Sequence, residues 1–452
     1  MHRSKRFFVL CLLAACSGPA ASVDRAGVLE QVRGRALVPV DAIADAALPP
    51  ETDLDDGLTR DEAISIALWR SPDFVASLAE LEVARAAVFD AGLLRDPVLT
   101  LLFPVGPKQL EATLNLPIDA LWLRDRRVAV ADAQAQRLAS ELASRGLDLV
   151  RDVQRDFDEL RLAVESERLE QSNASAWNEI ARLETLRVEI GEAAPVAASD
   201  ALVAARTAEE RRNVAQERIA NAELALARRM GLDPESSFVG SLRNGLREDR
   251  PEELGDAPPR PTPSEAVLLH TALACRPELR AAEMSMEDAG ERMGLAREEV
   301  WRVSALIDEN AQGIKGAEFG PGLVATLPIF AGAKGARARA AADLQVASAR
   351  YAAVLARIAF EVRDAVARMQ AAERASAQWR ERIVPQARAS VEAARRGHEN
   401  GALSSLDVRR NQLLELDAQL QATRAAADVR NARAQLERAV GRRDLEAATG
   451  KQ

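Results

Sequence analysis

Gln109-Leu110-Glu111-Ala112-Thr113-Leu114-Asn115-Leu116-Pro117-Ile118 places an apolar side chain at every second position. A strand has a period of two residues, so this stretch has one apolar and one polar face, at the length of a strand that crosses a membrane. The second half of the chain carries counterparts. Trp301, Val303, Ala305 and Ile307 alternate with Arg302, Ser304, Leu306 and Asp308, and Leu323, Ala325, Leu327 and Ile329 supply another apolar row. Val98 to Phe103 is apolar on both faces. Four strands cannot close a barrel around a channel, and open sheet edges are not tolerated in lipid, so several chains must contribute strands to one barrel.

The strands belong to a repeat. Ala67-Leu68-Trp69-Arg70-Ser71-Pro72-Asp73-Phe74 returns as Ala272-Leu273-Ala274-Cys275-Arg276-Pro277-Glu278-Leu279, a helix stopped before proline and restarted with an acid in its first turn. Leu114-Asn115-Leu116-Pro117-Ile118 returns as Ala325-Thr326-Leu327-Pro328-Ile329, and the segment from Gly191 to Gly231 as that from Gly401 to Gly441. Three landmarks in one order, offset by about 205 to 211 residues, define two tandem halves. Each predicts a helix (72–95; 277–300), two short strands, a very long helix (119–190; 330–400), a glycine turn at Gly191 or Gly401, and a returning helix of about forty residues. At 1.5 Å per residue the long helix spans on the order of 100 Å, too long for one compact domain.

The returning helix 403–440 has two apolar rows: Leu406, Leu413, Leu420, Ala427 and Ala434, then Ala418, Ala425, Ala432 and Ala439. Both follow a coiled-coil spacing of seven, and they lie about 140° apart. Two seams suit a helix with neighbours on both sides, as in a cylindrical wall. An ordinary antiparallel bundle is the other reading.

Arg3, Lys5 and Arg6 precede an apolar run, Phe7 to Leu13, too short to span a membrane, and then Leu13-Ala14-Ala15-Cys16. This is a secretory signal peptide ending in a stretch that resembles the bacterial lipobox, which implies Cys16 as the acylated (palmitate-bearing) first residue of the mature chain; an ordinary signal peptide with a chance cysteine is the other reading. Ser17, in place of aspartate, resembles the signal for release to the outer membrane. Residues 17–58, rich in Pro, Asp and Ala, read as an extended leader. The predicted division is a signal peptide 1–15, a lipidated leader 16–58, a first repeat 59–249, a linker 250–263, a second repeat 264–441 and a tail 442–452.

Composition excludes other classes. Hydrophobic residues make up 48% but aromatic ones only 4%, the mark of long helices in close contact. Without Arg3, Lys5 and Arg6 the chain carries 57 basic and 69 acidic residues, net −12, which argues against a nucleic-acid partner. With Cys16 acylated only Cys275 remains of the mature cysteines, so no intramolecular disulfide is expected, and Cys275 reads as a small buried residue. His270 and His398 have no metal-ligand spacing, and no phosphate loop or nucleophile motif appears. No enzyme, metal or cofactor is expected.

The chain resembles the TolC-like outer-membrane efflux factors over nearly all its mature length. The likeness rests on Glu62-Ala63 leading to Ser71-Pro72-Asp73, on Pro277-Glu278-Leu279-Arg280, on Leu327-Pro328-Ile329-Phe330 with Gly332 behind it, and on Gly401-Ala402-Leu403-Ser404-Ser405-Leu406-Asp407-Val408. It implies a mainly α fold with a small β part: two repeats of long helical hairpins forming an α-helical barrel, and four strands per protomer in a twelve-stranded transmembrane β-barrel. It further implies a homotrimer in the outer membrane, with a long periplasmic portion, passing cargo from an inner-membrane pump through a periplasmic adaptor. A periplasmic adaptor lipoprotein has one hairpin between β domains, and a coiled-coil tether has no use for matched strands; neither fits a plan that occurs twice. The cargo, whether drug, metal ion or protein, is not written in the chain.

The resemblance also implies a periplasmic constriction where the returning helices begin. Asp407 matches its first acid, Arg410 stands where a second is usual, and in the first tip Ala197 replaces the acid while Asp200 follows three residues on. The expectation is an acidic ring weakened or replaced by Asp407–Arg410 pairs that lock neighbouring helices. Asp407 and Asp200 as plain helix-start acids are the alternative.

Overall fold

Pro72 and Pro277 decide where the first helices of each half break. The computed structural model describes residues 19–36, 57–103, 110–246, 263–312, 316–327 and 332–445. The signal peptide, Cys16 and nearly all of the linker 250–263 lie outside these residues. Helix α1 (Arg25–Ala36) is followed by α2 (Arg60–Arg70), α3 (Pro72–Gly92), β1 (Val98–Leu102), β2 (Glu111–Pro117), α4 (Asp119–Glu189), α5 (Pro195–Arg229) and the short α6 (Ser237–Ser241). The order then returns: α7 (Glu265–Cys275), α8 (Pro277–Glu298), β3 (Val303–Gln312), β4 (Gly316–Ala325), α9 (Lys334–Gln378), α10 (Val384–Glu399) and α11 (Ser405–Val440). The fold is mainly helical, two repeats of long hairpins with a four-stranded sheet.

Two differences from the predicted helices have plain causes. The leader is not extended throughout, because Asp24 accepts the Gly27 N–H at 2.8 Å and starts α1, whose Val28, Leu29 and Val32 are buried. The second long helix is not continuous. Between α9 and α10 the chain widens into a π turn, Trp379–Ile383. Pro385 brings no N–H, and its ring would strike the carbonyl of Glu381 four residues back. The wider turn moves that carbonyl aside, with the Val384 N–H reaching the Trp379 carbonyl instead.

The chain forms two compact units. One holds residues through Leu29, 76–144 and 276–357. Its sheet runs β1-β2-β3-β4, antiparallel throughout, with both outer strands unpaired on one side. Directly opposed residues share a face, so the register sorts side chains. Leu99, Leu114, Ile307 and Pro321 form one cross-strand row, and Leu116, Ala305 and Leu323 the next on that face. Thr100, Thr113, Asp308 and Gly320 form a row on the other, where the Thr113 hydroxyl donates to Asp308 at 2.6 Å. β4 begins at Gly316, well before the apolar row at Leu323, and holds Pro321, which an edge strand tolerates. Large apolar side chains of β1 stay exposed, as do Ile307 and Leu323. Below the sheet Arg126 of α4 bonds Glu291 and Glu298 of α8 at 2.9 and 3.2 Å.

The other unit holds residues 30–75, 145–275 and 358–452. Here α2 is almost wholly buried, opened by a capping box of Thr59 and Glu62. Asp158, 1% exposed, accepts from Arg60 of α2 at 2.8 Å and Arg430 of α11 at 3.0 Å, so a buried acid fastens three helices. Gly231 ends α5 at φ +65°, and a Cβ there would lie 2.4 Å from the Arg70 carbonyl oxygen. Both rows of α11 are covered: Leu406, Leu420, Ala427 and Ala434 are buried, as are Ala418, Ala425, Ala432 and Ala439, with Leu413 partly so. Cys275 is half-buried rather than buried, because it ends α7, where its carbonyl accepts from Arg35 at 2.9 Å. Among the described residues no helix is long and apolar enough to cross a membrane.

Candidate functional site

The two hairpin turns are built alike. Gly191 stands between α4 and α5 at φ +78°, and Gly401 between α10 and α11 at φ +72°. Around Gly191 the amides of Glu192 and Ala193 both donate to the Arg187 carbonyl. Around Gly401 those of Ala402 and Leu403 both donate to the Gly397 carbonyl. Two amides on one carbonyl, across a left-handed residue, is how a long helix is stopped and reversed at once; a side chain at either glycine would meet open space but a strained backbone.

The helix starts differ. α5 opens on Ala194, which has no side chain to cap it, and Pro195. α11 opens on a capping box: the Ser404 hydroxyl accepts the Asp407 N–H, and the Asp407 carboxylate accepts from the Ser404 amide at 3.0 Å and its hydroxyl at 2.7 Å. Those bonds, the hydroxyl first, hold the Asp407 carboxyl below its ordinary value, and the charges of Arg410 and Arg187 act in the same direction. Asp407 is thus occupied with its own helix start.

Arg410 does not pair with Asp407 among the described residues. Its guanidinium reaches Glu184 of α4 at 3.4 Å, and Glu184 also accepts from Arg187 at 3.0 Å. The Glu184 side chain is 4% exposed, against 59% for Arg410. The acid that meets Arg410 therefore lies in the first hairpin, 226 residues away in sequence. Asp200 stands exposed in the second turn of α5 and does not join this cluster.

Beside Glu184 lies an apolar cluster of Ile180, Ala181, Ala201, Ala205 and Leu406, with Trp177, Leu183 and Leu413 at its margin. It joins α4 and α5 to α11. The structure thus brings the start of α11 against the first hairpin and fixes it with a leucine in an alanine-lined hollow and one ion pair to a buried acid. Glu184 is the residue that sequence reasoning missed. Its signal was faint: an acid four residues after Ile180, on the same helix face as buried apolar side chains, with a base at i+3. Nothing in the arrangement offers a nucleophile or general base with a partner; it is a mechanical junction.

Residues 268–442 match the family model for the outer membrane efflux protein. No curated protein sequence matches the chain. Among solved structures, the outer membrane protein VceC of Vibrio cholerae superposes with a TM-score of 0.67 at 20% identity, over 84% of this chain and 96% of that one. The CmeC outer membrane channel of Campylobacter jejuni gives 0.68 at 15% identity, over 92% and 97%. The open-state MtrE outer membrane channel of Neisseria gonorrhoeae gives 0.64 at 15%, over 90% and 99%. At such identities the likeness is one of fold, and it extends over nearly the whole of each relative.

Proposed function

We propose that this chain, whose residues 268–442 match the outer membrane efflux protein family model and which has the fold of solved outer-membrane channels, is one subunit of an outer-membrane duct. It is a conduit and not an enzyme. The observation that carries the reading is the sheet: four strands, a run of apolar rows on one face from Leu114 to Ala305, the polar pair Thr113 and Asp308 on the other, and two edges without a partner among the described residues. Bare edges are untenable in hydrocarbon, whereas copies joined edge to edge leave none, set the apolar face to lipid and the polar face to a lumen. Three copies give a closed barrel of twelve strands.

A second surface supports assembly from several copies. On the first hairpin, Leu186 stands six positions after Ile180, about 240° round α4, and Val203 two positions after Ala201, about 200° round α5. Both point away from Ile180 and Ala201 and are 42% and 67% exposed, and Ile190 and Val196 beside the turn are 68% and 62% exposed. Exposed apolar side chains on the first hairpin, beyond its buried cluster, are what a wall of helices needs at a seam between copies. The hairpin tips form the periplasmic end, and the partners are a periplasmic adaptor and an inner-membrane pump. Cys16 carries the lipid that anchors the chain to the outer membrane.

Native mass spectrometry of detergent-extracted protein should give a trimer, and the purified trimer should conduct ions across planar bilayers. A stable monomer in membranes refutes the shared barrel. Labelled palmitate should enter the wild type and not Cys16→Ser; equal labelling of both refutes the anchor.

A further inference from the structure

The four strands share one end: β1 and β3 begin there, and β2 and β4 finish there. The two ends of the sheet differ in charge. The far end carries Glu111 and Glu309, and among the described residues there it has no base. At the near end Arg302 directly precedes β3, and Lys334, Arg337 and Arg339 lie in the first two turns of α9, all four exposed. The sequence has no acid from Phe319 to Ala342. The Thr326 amide donates to the Arg302 carbonyl at 2.9 Å, which ties Arg302 to the segment that leads from β4 into α9.

The fold makes no use of these bases. Among the described residues none of the four side chains makes a hydrogen bond or ion pair. Farther along α9 the opposite holds: Arg363 bonds Glu265 and Arg368 bonds Asp364, each at 2.8 Å. The first half differs too, since Arg124 of α4 bonds the Gly92 carbonyl at 2.7 Å and Arg126 bonds Glu291 and Glu298. Nor does α9 gain by them. Lys334 and Arg337 stand in its first turn, where bases oppose the helix dipole, and three positions apart they repel each other. What the four can meet is negative charge outside the chain. Trp301 beside Arg302 and Trp122 in the first turn of α4, 54% and 45% exposed, mark the depth, because an indole settles where hydrocarbon gives way to headgroups.

We infer that Arg302, Lys334, Arg337 and Arg339 form a basic rim at the helix end of the sheet that holds the phosphate groups of anionic phospholipids in the adjoining leaflet. The inference rests on the membrane-spanning sheet proposed above. A guanidinium presents paired N–H donors that match two phosphate oxygens, and each base close to an anionic headgroup adds to the attraction. A headgroup such as choline carries its own cation next to the phosphate, so the rim selects lipids with net negative charge. Only the second half of the chain bears it. In a ring of copies the selected lipids therefore sit at one place on each copy, beside β3, β4 and the start of α9, and not evenly around the barrel.

The test is the phospholipid kept by the full chain, purified in detergent and incubated with an equal mixture of phosphatidylglycerol and phosphatidylcholine of the same acyl chains. Native mass spectrometry counts each lipid on the protein. The wild type should keep phosphatidylglycerol about tenfold over phosphatidylcholine, and the combined change Arg302→Gln, Arg337→Gln and Arg339→Gln should keep the two about equally. Lysine at the same three positions retains the charge and should retain most of the preference, which separates charge from shape. Arg368→Gln, which removes a paired base farther along α9, should match the wild type. No preference in the wild type, or the same preference in the glutamine variant, overturns the rim. Planar-bilayer conductance keeps the two readings apart. A protein that conducts but shows no preference overturns the rim alone, whereas one that neither conducts nor keeps either lipid overturns the membrane-spanning sheet and the rim with it.

Discussion

Arg410→Ala takes away one of the two guanidinium groups that reach Glu184, and Glu184→Gln takes away the charge they share; the two changes should not be equal. At 3.4 Å the gross attraction between Arg410 and Glu184 is about 5 kcal/mol at an effective dielectric of 20. Arg410 is more than half exposed, so water replaces most of that, and the pair itself is worth about 0.2–1 kcal/mol. What remains after each change differs more. Without Arg410, a carboxylate that is 4% exposed keeps only Arg187, and an under-compensated buried acid costs about 1–3 kcal/mol. With Glu184→Gln, two arginines with exposed side chains turn to water and the amide oxygen still accepts a bond, a loss of about 0.5 kcal/mol. If the closed tip alone holds the pair, Arg410→Ala should raise the open fraction about tenfold per 1.4 kcal/mol, and Glu184→Gln by no more than about threefold. Single-channel recording in planar bilayers measures this directly, with hydrogen exchange of residues 180–190 as a local readout. A larger rise for Glu184→Gln than for Arg410→Ala, or wild-type conductance for both, refutes the account.

Leu406→Ala should cost about 2–3 kcal/mol, the low end for a buried leucine because its neighbours are small alanines, and should speed exchange in α5 and α11 together. Ser404→Ala removes the hydroxyl half of the capping box and should fray the first turn of α11 by about 1 kcal/mol; if Asp407 acted instead as a charged gate, Asp407→Ala would raise conductance and Ser404→Ala would not. Because the Asp407 carboxyl is lowered in the folded chain, its contribution is whole above the ordinary value of 3.8 and is lost as pH falls through the lowered one. Hydrogen exchange at residues 404–410 should therefore rise only below about pH 4, and Asp407→Asn should remove that dependence. Gly231→Ala must strain a left-handed backbone and push on the Arg70 carbonyl, which should lower the thermal midpoint by several degrees.

The parts of the fold that repeat were the parts legible in sequence. Pro72 and Pro277 each stop one helix and start the next, Gly191 and Gly401 mark the turns, and the alternation around Leu114 marks β2, because each rests on local backbone chemistry that needs no neighbour. The π turn Trp379–Ile383 escaped because apolar spacing carries no trace of it; its signal was Pro385, a residue that a long helix does not hold without local widening. The start of β4 escaped because Gly320-Pro321-Gly322 has the composition of a turn and only its pairing with β3 makes it a strand. The tip was half legible. Asp407 and Arg410 were visible as charges at a helix start, but their partners, Ser404 and Glu184, follow from a capping geometry and from a contact between distant segments. Spacing along one helix could not separate an i,i+3 pair from two unrelated ones.

The central ladder of the sheet also sets a timetable. Thr113 and Asp308 face each other across β2 and β3 although they are 195 positions apart in sequence. A ribosome adding about 5–20 residues per second needs on the order of 10–40 s to cover that distance. Through this interval β1 and β2 exist with no third strand to join, and pairing at such separation is slow even once both halves are present. The nascent first half is therefore an aggregation hazard of predictable duration, and the chain's yield in the cell should depend more on what shields those two strands while they wait than on the stability of the finished channel.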